Sequence, residues 1–437
     1  MPAYQVVLYL FLVFFALHLA VETIVSVLNA RYLHARRAAI PEALRQAYSA
    51  ETHERSIAYA LARSRFGHVD RAVSALFTFF FLFSSFIMGL DLVAAHLALG
   101  ELTDSVLVLV LFVLTTAAVS LPLELYATFR LEARFGFNKT TAGTFWLDKL
   151  KGLFLLLVLG VPFLYALLAL ILWTGPLWWL WAGLFVIGFQ FLIMVLFPGF
   201  IAPLFNRFTP LQEGDLKTQL EALARACGFA VRGISVVDGS RRSAHSNAYF
   251  TGLGRWRRIA LFDTLIARLS VPQLVAVLAH EIGHYKRKHI LKMLALSAAL
   301  TLAGCYVLSL LLYWHPIYQA FSVGTPTEAK GLVILALTAG HCTFWMGPLL
   351  NRLLRRHEYE ADAYAAAHAG GPEPMASALL KIYAENLAAP APHPLYSAYH
   401  YSHPTLLERI EALRSAPPSS PPYSPQRHGE HREQQAG

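Results

Sequence analysis

Seven stretches of this chain are apolar for long enough to cross a bilayer as single helices. They lie at residues 5–29, 72–97, 104–126, 152–173, 177–199, 290–313 and 331–351. A helix rises about 1.5 Å per residue, so about 20 apolar residues span the hydrocarbon. Inside that layer every backbone N–H and C=O must find its partner within the chain, which makes helices the expected form. Composition agrees: 14% of the 437 residues are charged, against about 25% in soluble domains. The first stretch is long and lacks a small-residue cleavage site, so it reads as a retained span and not as a cleaved leader. The chain is therefore expected to be a mainly α, polytopic membrane protein.

The net charge of +9 is distributed unevenly. Arg31, Arg36, Arg37, Arg45, Arg55, Arg63, Arg65 and Arg71 lie between the first two spans, and Arg130, Arg134, Lys139, Lys149 and Lys151 between the third and fourth. The alternate loops, 98–104 and 174–177, hold no Lys or Arg. This positive-inside pattern predicts an outside N-terminus and a cytosolic segment 200–289. Basic loops beside anionic headgroups account for the charge, with the lipid bilayer as partner and no nucleic acid. Cys227, Cys305 and Cys342 are far apart and read as buried small residues, not as a disulfide framework or metal site.

The cytosolic segment carries Ala279-His280-Glu281-Ile282-Gly283-His284. Two histidines four apart share one helix face and can reach one ion, while the intervening Glu can hold a water. This is the H-E-x-x-H arrangement of zinc hydrolases, and the apolar run from Pro272 supplies the helix it needs. A catalytic zinc takes three protein ligands and keeps one position open. Candidates for the third are Glu358, Glu360, Asp362 and His403. Glu358 and Asp362 are four apart and share a face, with Glu360 pointing away; a ligand plus an acidic partner that orients a histidine fits that pair.

Five regions follow: membrane helices over 1–200, a segment with sheet and H-E-x-x-H helix over 201–289, two spans over 290–351, a segment with the third ligand over 352–414, and a disordered Pro/Ser/Gln-rich tail over 415–437. Within the second, 215–227 reads as an amphipathic helix capped by Gly228. Residues 233–237, 246–252 and 258–262 read as strands of a small mixed sheet, and Asp263 as the next N-cap. A sheet edge beside a metal can pair with an extended peptide. Asn247, at the start of such a strand, suits either a clamp on substrate backbone or a turn. Around Phe135-Gly136-Phe137-Asn138 a turn packed on apolar surface is expected. Lys286-Arg287-Lys288-His289 implies that the metal helix runs on into the membrane or bends at its surface. His341, inside a span, suits a functional group or a helix–helix hydrogen bond.

These motifs together resemble the CAAX prenyl protease 1 family of integral-membrane zinc metalloproteases. The resemblance rests on His280-Glu281-Ile282-Gly283-His284, Arg355-Arg356 through Glu358 to Asp362, Ser246-Asn247-Ala248-Tyr249-Phe250, Pro203-Leu204-Phe205-Asn206, His403-Pro404 through Glu408-Arg409, and Phe135-Gly136-Phe137-Asn138. It implies one Zn2+ per chain on His280, His284 and Glu358, with Glu281 as general base and Asp362 behind the ligands. It implies Asn247 on the substrate strand, His403 near the oxyanion, and Arg409 in the supporting polar network. It implies seven helices around a chamber, a small α+β metalloprotease domain, and cleavage of prenylated CaaX C-termini. The end of the sequence, Gln426 onward, carries no lysine-based retrieval signal, and alanine and arginine usage is heavy; a bacterial plasma membrane is expected over the endoplasmic reticulum. A broad-specificity quality-control zinc protease would use the same residues on hydrophobic or misfolded peptides. An intramembrane protease of the site-2 type would want an acidic ligand in spans six or seven, which hold none. Seven spans alone would also suit a non-enzymatic receptor or transporter.

Overall fold

The computed structural model describes residues 1–45, 48–230, 233–245, 248–251 and 258–415. Among the described residues, seven helices are long and apolar enough to cross a membrane. The membrane region opens with α1 (Ala3–Ala35), α2 (Ala50–Phe83), α3 (Phe86–Leu97) and α4 (Glu101–Tyr126). It continues with α5 (Ala142–Leu155), α6 (Val161–Trp173), α7 (Trp178–Leu196) and the short α8 (Ala202–Phe205). These helices expose Phe79, Leu92, Trp146, Phe154, Trp181 and Phe191, an apolar surface of the kind that lipid covers. Their buried faces meet in a core that includes Phe11, Phe81, Leu168 and Trp178.

Several span boundaries differ from the sequence reading, those of the second span most. The second span was expected over 72–97, but α2 starts at Ala50 and takes in half of the basic loop. It breaks at Ser84, whose hydroxyl accepts from the Phe86 N–H and restarts the chain as α3. Helix α4 contains Pro122 and runs into a π turn over Ala127–Glu132. A second π turn, Leu156–Gly160, joins α5 to α6, and a third, Phe197–Ile201, ends α7 at Pro198. Proline lacks the N–H that the ladder needs, and single π turns absorb such defects.

Outside the membrane helices the chain builds a four-stranded sheet. Its strands are β1 (Phe208–Pro210), β2 (Gly233–Val237), β3 (Ala248–Thr251) and β4 (Arg258–Phe262), in the order β1-β2-β4-β3. Strands β2 and β4 run parallel, Val236 beside Leu261, and the outer pairs are antiparallel. Sequence reading missed β1, which is only three residues long. Helix α9 (Asp215–Ala226) ends at Gly228, in the left-handed region at φ 55°. Asp263 is the first residue of α10 (Asp263–Arg268) and not its N-cap, and its carboxylate accepts from the N–H groups of Ser240 and Thr264. Asn247 and the β3–β4 turn lie outside the described residues, as does the tail beyond Ser415.

Helix α11 (Val271–Lys286) carries the H-E-x-x-H motif, and Ser270 and Gln273 form a capping box at its start. The chain bends before the next span and does not run on as one helix: Lys288 sits at φ 58°, and α12 (His289–Leu311) begins at the next residue. After α13 (His315–Ala320), α14 (Glu328–Thr343) passes through one 3-10 turn into α15 (Gly347–His368). The expected boundary between residues 351 and 352 therefore falls within a helix that carries the chain straight to Glu358. The chain closes with α16 (Pro372–Glu385), α17 (Pro394–His400) and α18 (Leu406–Ser415). Ala276, Ala279 and Ile282 of α11, Ala365 of α15, Leu406 and Ile410 of α18, and Ile234 and Leu261 of the sheet share one buried core.

Two straps hold this unit against the membrane helices. Arg242 clamps Asp148 of α5 with two bonds, Nε to Oδ2 at 2.9 Å and Nη2 to Oδ1 at 3.0 Å. Beside it, Asn138 and Ser243 form an isolated bridge, and the Ala244 N–H donates to the Phe137 carbonyl. Phe135 and Phe137 are buried against Tyr59 and Leu387, as the turn chemistry predicts, with Gly136 at φ 84°. The second strap is C-terminal. The His393 N–H donates to Asn29 of α1, while Asn351 and Arg355 of α15 donate to carbonyls of Tyr399 and Ser397 in α17.

Candidate metal centre and its surroundings

Helices α11 and α15 cross at Gly283, the variable position before the second histidine of the motif. A Cβ there would stand 2.9 Å from Tyr364 Cβ and 3.1 Å from the Ala361 Cα. A side chain would wedge the helices apart, so glycine sets how near Glu358 comes to the histidines.

At that crossing His280, His284 and Glu358 converge, with one donor atom from each lying within 4.8 Å of the others. The two Nε2 atoms are 3.1 Å apart. His284 Nε2 stands 3.3 Å from Glu358 Oε1, and His280 Nε2 stands 3.6 Å from Oε2. A tetrahedral zinc with bonds of about 2.0–2.1 Å separates its donors by about 3.3 Å, so the three atoms fit around such an ion. Glu358 supplies a second sign of fit. Its Oε2 is buried. His403 Nδ1 lies 2.8 Å from it and Arg409 Nη1 3.5 Å, so the carboxylate keeps its charge beside two imidazoles, a donor set that suits a metal cation.

His280 is buried, and its Nδ1 lies 2.8 Å from Asp362 Oδ1. Asp362 is held in turn by Arg409, Nε to Oδ2 at 2.8 Å and Nη2 to Oδ1 at 2.6 Å. Burial works against the charge on Arg409, but the Asp362 carboxylate outweighs it and holds the guanidinium protonated. The structure therefore brings together seven of the eight residues singled out in the sequence: His280, Glu281, His284, Glu358, Asp362, His403 and Arg409. The eighth, Asn247, is outside the described residues. Glu281 is half-buried next to the group, and burial pushes its carboxyl above the ordinary range. The side chain of His403 is 59% exposed and so remains open to an incoming molecule.

Sequence reasoning missed His289 and, with it, what Glu360 meets. Glu360 does point away from the three converging donors, yet its carboxylate meets His289, which in turn meets His284. The signal in the sequence was a histidine five residues after the motif, embedded in a basic run that reads as a membrane-interface anchor. His341 bonds His18 of α1, Nδ1 to Nδ1 at 2.9 Å, the helix–helix option for that residue. The three cysteines are free thiols; Cys227 is buried, and Cys305 and Cys342 are half-buried.

Comparison with known proteins finds relatives over nearly the whole chain. A family model described as CAAX prenyl protease N-terminal, five membrane helices, matches residues 29–207. A second, Peptidase family M48, matches residues 210–416. The CAAX prenyl protease 1 homolog of Oryza sativa subsp. japonica is 35% identical over 387 residues, covering 86% of this chain and 90% of that protein. The CAAX prenyl protease 1 of Saccharomyces cerevisiae is 41% identical over 315 residues, 68% of each chain. The crystal structure of S. mikatae Ste24p aligns with a TM-score of 0.86 at 32% identity, covering 94% of this chain and 99% of that one.

Proposed function

Because this chain belongs to the CAAX prenyl protease 1 family of M48 membrane metalloproteases, we propose that it cleaves prenylated CaaX proteins near their C-termini, using a single zinc on His280, His284 and Glu358. The observation that carries this reading is the triangle of two Nε2 atoms and one carboxylate where α11 meets α15. Two histidines and a glutamate are a donor set that zinc hydrolases use.

Zinc held there would act as a Lewis acid and bring the pKa of a bound water towards neutrality. Every other step belongs to side chains. Glu281 takes the proton of the attacking water and returns it to the departing amine. His403, exposed at the rim beside Glu358, donates to the substrate oxygen as negative charge grows on it; one such donor is typically worth about a hundredfold in rate. Asp362 and Arg409 keep His280 turned towards the triangle. The peptide is read as an added strand beside β3, one of the two edge strands of the described sheet, with Asn247 gripping its backbone. The alternation of basic and neutral loops supports an outside N-terminus and a cytosolic site. Heavy alanine and arginine usage supports a bacterial plasma membrane as the setting.

The test uses the full chain in detergent. Farnesylated and unfarnesylated peptides are supplied, and the cut bond is mapped by mass spectrometry. Cleavage confined to farnesylated peptides supports the proposal. Equal cleavage of both moves the substrate to hydrophobic or misfolded peptides, and no cleavage with a full complement of zinc sinks the reading. Chelation should abolish turnover, and one equivalent of zinc should restore it.

A further inference from the structure

We propose that His289 and Glu360 form a relay that fixes the proton of His284 on Nδ1 and so keeps its Nε2 open for the metal. This rests on the metal reading above. His284 Nδ1 lies 3.1 Å from His289 Nδ1, and His289 Nε2 lies 3.1 Å from Glu360 Oε2.

Two facing ring nitrogens at that distance share one proton, and it can sit on either side. If His289 Nδ1 carried it, neutral His284 would hold its proton on Nε2, towards His280 and Glu358. His289 would then turn a bare Nε2 lone pair against the Glu360 carboxylate, two acceptors face to face. With the proton on His284 Nδ1, both contacts of the arm have one donor and one acceptor: His284 Nδ1–H donates to His289, and His289 Nε2–H donates to Glu360. The carboxylate thus selects the tautomer in which His284 Nε2 is free.

The surroundings hold this arrangement still. His289 is buried and lies flat on His357, with ring centroids 4.0 Å apart and planes within 11°. Glu360 Oε1 also accepts from Arg356 Nε at 3.1 Å, one helical turn earlier on α15. The left-handed residue Lys288 between α11 and α12 turns the chain so that His289 faces back to His284. A lysine at positive φ is unfavourable, and it persists because the reversal delivers the residue that follows it. His289 and Glu360 are positioning residues: neither belongs to the triangle of donors.

The test measures zinc affinity by competition with a chelator, using the full chain in detergent, without reference to turnover. His289→Phe keeps a ring against His357 but offers no acceptor, whereas His289→Gln keeps a carbonyl acceptor. The Phe variant should bind zinc about 10–100-fold more weakly than the original chain, and the Gln variant should recover most of that loss. Glu360→Gln, at a position 29% exposed where folding is not in question, should weaken binding several-fold. Cobalt substituted for zinc should show a shifted visible band in the Phe variant only. Equal affinity in all four proteins overturns the relay while leaving the metal site standing. Equal loss in the Phe and Gln variants reduces His289 to packing and also overturns it. An original chain that takes up no zinc removes the metal reading and the relay together.

Discussion

His280 and His284 stand one turn apart on α11, yet different machinery holds them. Behind His280 is a closed, charged arm: Asp362 is 2% exposed and Arg409 7%, and the two are joined by a bidentate pair. Behind His284 is a shallower arm in which a buried neutral ring passes its hydrogen bond to a carboxylate that is 29% exposed. The deep arm also ties α18 to α15, so it carries fold as well as orientation. The shallow arm spans the bend between α11 and α12 and joins elements that are already packed. A buried ion pair is costly to break because the survivor is stranded, whereas a half-exposed carboxylate can turn to water. The two arms should therefore separate when each is cut.

The largest effect is expected from neither arm. Glu281→Gln should lower kcat by about 10²–10⁴-fold while zinc content stays at one per chain. Lost zinc in that variant would mean that holding and chemistry cannot be separated at this site. Next, Arg409→Ala strands the Asp362 charge and should cost about 3–5 kcal/mol of stability, read as a lower melting temperature of the metal-free protein in detergent. A melt unchanged from the original chain would erase the distinction between the arms. Gly283→Val puts atoms where Tyr364 and Ala361 already are. It should cost about 1–3 kcal/mol from overpacking and weaken zinc binding by parting α11 from α15; unaltered binding would show that the glycine does not set the approach. The smallest effect is expected at Lys288→Gly, which relieves the left-handed strain of φ 58°. The melt should change by no more than about 1 kcal/mol, with zinc affinity kept, and a clear loss of affinity would show that the bend depends on the lysine side chain itself.

Most of the membrane architecture was legible because it is written locally. An apolar block of fixed length and a loop rich in arginine are each readable without knowing their neighbours. The miss at α2 is instructive: its first half is polar enough to look like a loop, yet it continues one helix from Ala50 to Phe83. The motif was equally local, since four residues of helix bring two histidines to one face. Glu360 shows where such reading stops. Its direction away from Glu358 on α15 was right, but what waited there was His289, 71 residues earlier in the chain.

By itself the sequence determined the number of crossings, the helix that carries the histidines, and the acidic face that could complete a metal site. All of these follow from periodicity and hydrophobic length over at most two dozen neighbours. Only the tertiary structure decided how close α15 comes to α11, that His403 and Arg409 stand beside Glu358, and which group turns each imidazole. Those are contacts between residues such as His280 and Asp362, 82 positions apart. Side chains that far apart are brought together by the packing of whole helices, and no local pattern of residues records that distance.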